Sequence, residues 1–165
     1  MRLPNNYILN SNPTVQKIEL ETYLRDIAQA INGNIREWTP ALYGEGTAGT
    51  VTYTVQEGWY MRQNQMIDVW FAVAWSAWAG GAGNINMDLP LKTWNSGTTF
   101  WTGSIMSSNV SFANALDTYC APVADYDSYV CKFASGRHAG VKGLIQVQAA
   151  GNFTGHIRYL GQFDG

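Results

Sequence analysis

Charged residues are scarce in this chain. They make up 13% of its 165 residues, well below the roughly 25% that is usual in soluble domains. The 10 Lys and Arg are scattered and the formal net charge is −2, so the sequence has no basic patch of the kind that nucleic-acid-binding proteins present to phosphates. Two explanations stay open for the low charge: subunit contacts cover surface that would otherwise be charged, or the exterior is uncharged and hydrogen-bonding, as suits contact with sugars.

Long apolar runs are also absent. The longest is too short to span a membrane, and Met1-Arg2-Leu3-Pro4 is not followed by the apolar segment of a secretory signal. We therefore expect a protein that does not insert into membranes, is made in a cytoplasm, and works outside a cell only when a larger assembly carries it there.

Cysteine and histidine are rare. Cys120 and Cys131 either face each other across a hairpin as a disulfide or are two small buried thiols, as is usual for proteins made in a reducing compartment. They lack the spacing and the His partners of a zinc site. His138 and His156 belong to no zinc-binding helix, nucleophile elbow or phosphate-binding loop, and both are expected at the surface. The sequence predicts no cofactor and no metal.

Strands with alternating side chains are what the chain has in abundance. From Ile67 to Trp75 every odd position is apolar, which is typical of a strand with one face on a core. The other face is also mostly apolar, because it carries Trp70, Ala72 and Ala74. A surface strand with such an outward row predicts contact with another subunit.

From Thr50 onward the sequence predicts only strands and turns. Residues 37–49 are predicted to be a connector, with Trp38 closing the base of the domain. Strands with regular Gly-rich turns indicate an antiparallel β-sandwich or jelly roll. Inward-facing residues are expected at Tyr53, Phe71, Trp75, Ile85, Met87, Leu89, Phe153, Ile157 and Tyr159, and Asn84, Asn86 and Asp88 are expected to face out. The predicted strands are 51–62 with its turn, 67–75, 84–89, 100–106, 110–113, 117–121, 128–133, 141–148 and 153–160.

The N-terminal segment has a different pattern. Residues 1–12 are predicted to be an extended arm that docks on a partner through its apolar residues. Residues 13–36 are predicted to be a helical stem, whose four, three, four spacing of apolar residues forms a short a/d seam. The helix packs either on the β domain or on copies of itself, and the narrow seam favours self-association. Residues 37–165 then form the head. The arm contacts are Tyr7, Ile8 and Leu9, and the seam residues are Leu20, Leu24, Ile27 and Ile31.

Aromatic residues are numerous, with seven Trp and nine Tyr. Most are expected in the core, but several fall at strand ends or in loops. A rigid aromatic ring offers a large contact area with a polar edge, which suits sugar rings and protein surfaces. Together with two nearby carboxylates, these loop aromatics are the predicted receptor contacts: Trp78, Trp94, Trp101, Tyr119, Asp125, Tyr126, Asp127 and Tyr129.

An ordered set of segments carries a family resemblance. Residues 38–44, 51–62, 67–73 and 83–90 (WTPALYG, VTYTVQEGWYMR, IDVWFAV and GNINMDLP) together resemble the C-terminal β domain of tail fibres and receptor-binding proteins of tailed bacteriophages. The resemblance implies a homotrimeric virion protein with a jelly-roll head on a helical or coiled stem. It also implies a role in recognising the bacterial surface, and an N-terminal arm that anchors the protein to the phage tail.

Three functions follow as expectations. The first is a non-catalytic receptor-binding protein of the tail that attaches the virion to a host surface glycan or pilus. The second is a structural tail-tip or fibre-connector protein without receptor contact. The third is a capsule or polysaccharide hydrolase, for which Asp125 and Asp127 are the candidate carboxylate pair. A calcium site at the same two residues would need more oxygen ligands than the surrounding sequence shows.

Overall fold

The computed structural model describes residues 21, 24, 34–95, 97, 101–112, 117, 119–136 and 143–162. The chain forms two compact units, Met1–Asn34 and Ile35–Gly165. In the first unit Glu21 and Leu24 are described, and both have helical backbone. The rest of the predicted arm and stem lies outside the described residues, so the arm, the helix and its self-association stay predictions. The same holds for six of the residues assigned to them: Tyr7, Ile8, Leu9, Leu20, Ile27 and Ile31.

The second unit is a mainly β, antiparallel structure. Its strands follow the order β1-β3-β4-β10-β6-β7-β8-β5-β2 in one sheet, and β9 pairs with β8. Every pairing from β3 to β2 along this order is antiparallel. The first strand begins within the range assigned to the stem. The ten strands are β1 Asn34–Trp38, β2 Leu42–Gly44, β3 Thr50–Gln63, β4 Met66–Ala79, β5 Ile85–Asp88, β6 Trp101–Ser108, β7 Tyr119–Ala124, β8 Val130–Gly136, β9 Gly143–Leu144 and β10 Gly151–Leu160.

The sheet curls into a half-barrel around an aromatic core. Phe133 on β8 stacks on Phe153 on β10 with ring centroids 4.2 Å apart, and it meets Phe71 on β4 edge-on at 6.1 Å. These contacts join β4 and β10 to β8, which are separated by β6 and β7 in the strand order. Trp75 packs against Phe153 at 5.4 Å and extends the core toward the end of β4.

The alternation read from the sequence is confirmed in the long strands. The odd residues from Ile67 to Trp75 are buried, and so are Phe153, Ile157 and Tyr159 on β10. Ile85, Met87 and Leu89 are buried as expected. Side chains alternate between the two faces of a strand, so period-two apolar patterns identify the core face directly.

Several predictions about the shorter segments are wrong. The predicted connector 37–49 contains the end of β1 and all of β2. Residues 110–112 are not a strand, because the Gln148 side chain accepts from the Ser111 N–H and donates to its carbonyl, both at 2.6 Å. The backbone N–H and carbonyl of Ser111 thus bond to a side-chain amide rather than to a neighbouring strand. In the described part of 141–148 the strand is limited to Gly143–Leu144.

Asn86 was expected to face solvent, but it is buried. Strand β5 lies inside the sheet between β2 and β8, so Asn86 has Tyr43 on one side and Lys132 on the other in register. An interior strand of this kind has neighbours on both flanks, which cover a polar side chain that an edge strand would leave in water.

The two cysteines are free thiols. In the β7–β8 hairpin Cys131 lies opposite Ala124, while Cys120 lies opposite Ser135, so they do not face each other. Burial raises the pKa of the Cys120 thiol to about 12 and raises that of Cys131 further. Both side chains are therefore protonated and unreactive at neutral pH.

Candidate binding site at one end of the half-barrel

Six of the eight predicted receptor residues lie at one end of the half-barrel. Strand β6 starts there at Trp101, which pairs with Ala124, the last residue of β7. Trp78 and Tyr119 lie at the opposite end, because Tyr119 pairs with Gly136 at the far end of the β7–β8 hairpin and Trp78 pairs with Val51 near the end of β4. The six residues brought to the first end are Trp94, Trp101, Asp125, Tyr126, Asp127 and Tyr129.

Buried hydrogen bonds hold two segments together at this end. The Thr93 hydroxyl lies 2.6 Å from the Asp125 carbonyl, to which it donates, and it accepts from the Ser128 N–H at 2.9 Å. The Trp94 N–H donates to the Leu160 carbonyl at 2.7 Å. Segment 91–94 is thus tied both to the turn 125–128 and to the end of β10, so its exposed side chain projects from a fixed backbone.

Two lysines neutralise the carboxylates of the turn. Lys92 Nζ lies 2.6 Å from Asp127 Oδ1, and Lys132 Nζ lies 3.1 Å from Asp125 Oδ2. Lys132 also reaches Glu45 Oε1 at 3.7 Å. Asp127 has a φ of 51°, in the left-handed region, a conformation that Asp adopts more readily than most residues.

Three aromatic side chains are exposed on these segments. Trp94 is 39% exposed, Tyr126 38% and Tyr129 50%. A shallow depression of about 600 Å³ beside them is lined by Asp125, Tyr126, Asp127, Ser128 and Lys132. Trp101 is different, because it is half-buried against the core and serves as scaffold. We call these three aromatics and the charged residues beside them the aromatic rim; its members are Lys92, Trp94, Asp125, Tyr126, Asp127, Tyr129 and Lys132.

The rim combines flat apolar faces with fixed hydrogen-bonding groups. Aromatic rings contribute contact area with little loss of conformational entropy, and the carboxylates accept hydrogen bonds from hydroxyl groups. The sequence had identified the aromatics and the carboxylates but not Lys92, Thr93 or Lys132. Lys92 and Thr93 contact residues that are more than 30 positions away in the chain. Lys132 contacts the nearby Asp125 and the distant Glu45, and no local pattern signals these contacts.

A second surface lies on the convex side of the sheet. Trp70, Ala72 and Ala74 face away from the core, as predicted, and Trp70 is 38% exposed. Trp59 on β3 pairs with Trp70, and Met106 on β6 is 79% exposed. We call this surface the outer face; it comprises Val55, Glu57, Trp59, Trp70, Ala72, Ala74, Met106 and Thr154.

A polar cluster at the margin of the outer face was not anticipated. Asp68 is only 2% exposed. Its carboxylate accepts two hydrogen bonds from Arg158, at 2.6 and 3.0 Å, and lies 2.9 Å from His156 Nε2. Burial acts to raise the pKa of Asp68, but the hydrogen bonds and positive charge of Arg158 and the bond from His156 outweigh it, so the pKa is lowered. The His156 ring also packs against Trp70, with centroids 5.2 Å apart.

Two other kinds of site are not found among the residues that the structure describes. Those residues contain no group of three or more His, Cys, Asp or Glu side chains that could hold a metal ion. They also contain no helix long and apolar enough to cross a membrane. His138 lies outside the described residues.

Comparison with known proteins gives a structural match. No protein family and no curated protein matches the sequence. Among solved structures, the crystal structure of the Dettilon tailspike protein superposes with a TM-score of 0.53 and 16% identity, over 74% of this chain and 23% of the tailspike. The chain shares its fold with part of a tailspike protein. Because the identity is low, the match supports the phage-tail resemblance at the level of a β fold, and this chain spans less than a quarter of the tailspike's length.

Proposed function

We propose that this protein is a receptor-binding component of a phage tail, located in the virion, that attaches the particle to a glycan or pilus on the host surface without catalysis. The observation that carries the proposal is the aromatic rim: Trp94, Tyr126 and Tyr129 are exposed on segments that Thr93 ties together, at one end of a fold shared with a tailspike. A cluster of exposed apolar side chains with polar groups around it commonly marks a binding site.

The arrangement of carboxylates supports binding rather than hydrolysis. A glycosidase needs one carboxyl group that stays protonated and a second that is free to act as base or nucleophile. At the rim, Asp125 and Asp127 each form an ion pair with a lysine. In the proposal they position ligand hydroxyl groups.

The outer face supports self-association. Its one charged member is Glu57, which lies opposite Ala72 in register. Ala72 and Thr154 form a low stripe that leads from Glu57 to Met106, beside the paired Trp59 and Trp70. A stripe of small residues flanked by larger side chains is a shape into which the same surface of a second copy can pack. We propose that this face and the stem residues Leu20, Leu24, Ile27 and Ile31 hold a homotrimer with jelly-roll heads, and that the arm 1–12 docks on other tail proteins through Tyr7, Ile8 and Leu9.

Cell binding by purified, fluorescently labelled protein tests the receptor role. The double variant Trp94→Ala/Tyr129→Ala should bind host cells at least about tenfold more weakly, because truncating aromatic anchors commonly costs about 2 kcal/mol. Tyr119→Ala is the matched control, since Tyr119 is an equally exposed aromatic at the opposite end, and it should bind like the wild type. Circular dichroism confirms that each variant is folded.

Two outcomes would contradict the proposal. Wild-type protein that neither binds host cells nor blocks phage adsorption would favour a connector role. Release of reducing ends from host polysaccharide would favour a hydrolase. Deleting residues 1–12 distinguishes receptor binding from attachment to the tail. The head should still bind cells, while incorporation into virions should fail.

A further inference from the structure

We infer that the aromatic rim accepts uncharged, hydroxyl-rich glycans and excludes polyanionic ones. This rests on the proposed receptor-binding function and specifies the ligand class of the same site. The charges around the depression carry the inference. Three carboxylates, those of Glu45, Asp125 and Asp127, surround two ammonium groups, those of Lys92 and Lys132.

The two lysines are already engaged. Each ammonium lies 2.6 to 3.7 Å from at least one protein carboxylate. An acidic sugar that approached Lys92 would have to displace Asp127, and it would then lie beside Asp125 as well. Like charges within a Debye length, about 8 Å at physiological salt, repel each other, so an acidic ligand loses more than it gains.

The groups that remain suit an uncharged sugar ring. Trp94, Tyr126 and Tyr129 are each more than a third exposed, and an aromatic ring can pack against the C–H face of a pyranose. Carboxylates that are held in place by lysines still have lone pairs free, because an ionised carboxylate has about four acceptor sites. Sugar hydroxyl groups can donate hydrogen bonds to these carboxylates without bringing a further negative charge into the site.

The same geometry identifies Asp127 as the residue that sets this selectivity. Its Oδ1 lies 2.6 Å from Lys92 Nζ, and its backbone is in the left-handed region. Replacing it by Asn keeps the shape and removes one of the carboxylates that repel an acidic ligand from Lys92.

Affinity chromatography on polygalacturonate resin tests the inference. Wild-type protein should pass through, and Asp127→Asn should be retarded with roughly two- to fivefold stronger binding, a gain that salt abolishes because exposed ion pairs are weak and screened. Glu37→Gln is the charge-matched control, because it removes one exposed carboxylate from β1, at the edge of the sheet away from β7 and β8, and it should pass through like the wild type.

Binding to bacteria distinguishes this inference from the proposed function. Wild-type adsorption should be lost after periodate oxidation of cell-surface sugars and should resist competition by excess polygalacturonate. If adsorption survives periodate, or if polygalacturonate competes and Lys92→Gln removes that competition, the inference is overturned while the receptor role stands. If the wild type binds no cells at all, both fall.

Discussion

Asp68, at the margin of the outer face, contributes to the stability of the folded protein. It carries a buried carboxylate whose partners, Arg158 and His156, come from β10. The hydrogen bonds lower its pKa in the folded state. A carboxyl group with a depressed folded-state pKa stabilises the protein above its unfolded pKa, near 3.9, and that contribution is lost as the pH falls through the folded-state value.

Replacing Asp68 by Asn should therefore destabilise the fold at neutral pH and much less in acid. The substitution keeps the shape but removes the charge that Arg158 binds, and we expect a loss of about 1–3 kcal/mol in the free energy of unfolding at pH 7. Urea denaturation at pH 7 and at about pH 3 measures both values. Glu57→Gln, on the exposed outer face, should change neither by more than about 0.5 kcal/mol. An equal loss at both pH values would show that the charge of Asp68 is not what stabilises the fold.

Strand β6 connects β10 to β7 within the half-barrel. It pairs with β10 over six residues and with β7 at its first two. Gly103 lies where the backbones of β6 and β10 approach each other, and a Cβ there would fall within 2.7 Å of Ile157 Cα and closer still to the His156 carbonyl oxygen. Since the obstacle is backbone rather than a movable side chain, any larger residue forces the strands apart.

We expect Gly103→Ala to cost at least about 2 kcal/mol in the free energy of unfolding, in line with overpacked interiors. Thermal unfolding followed by circular dichroism measures the loss. Ser104→Ala, at the neighbouring exposed position of the same strand, should unfold within a few degrees of the wild type. A stable Gly103→Ala protein would mean that β6 and β10 are less closely paired than described.

At the scale of the whole molecule, the two surfaces have separate tasks in the proposal. The aromatic rim lies at one end of the half-barrel, and the outer face lies on its convex side. An oligomer built through the outer face would leave the rims free at the tip. In this proposal the scarcity of charge has both of the explanations that the sequence left open, because copies of the chain would cover one surface and uncharged sugars would contact the other.

Placing a charge in the middle of the outer face tests the assembly. If the proposed homotrimer forms through this face, Ala72→Asp should convert it to monomers at micromolar concentration, because a carboxylate without a partner would be buried in the interface. Light scattering coupled to gel filtration measures the mass, and Ala72→Ser is the size-matched control that should stay oligomeric. An oligomer that tolerates Ala72→Asp would show that the row contacts something other than a second copy.

The sequence alone determined the long strands and their faces. Period-two alternation from Ile67 to Trp75 gave both the core row and the outward row with Trp70, because alternation is a local property of an extended chain. It also identified the exposed aromatics, since loop positions near Gly and Pro can be recognised without knowing the fold.

The tertiary structure decided how distant segments meet. Asn86 is buried because β5 lies between β2 and β8, and Asp68 is buried because Arg158 arrives from a strand 90 residues away. The rim exists because Thr93 binds the turn at 125–128. Strand order and register arise from packing over the whole sheet, so no window of sequence contains them.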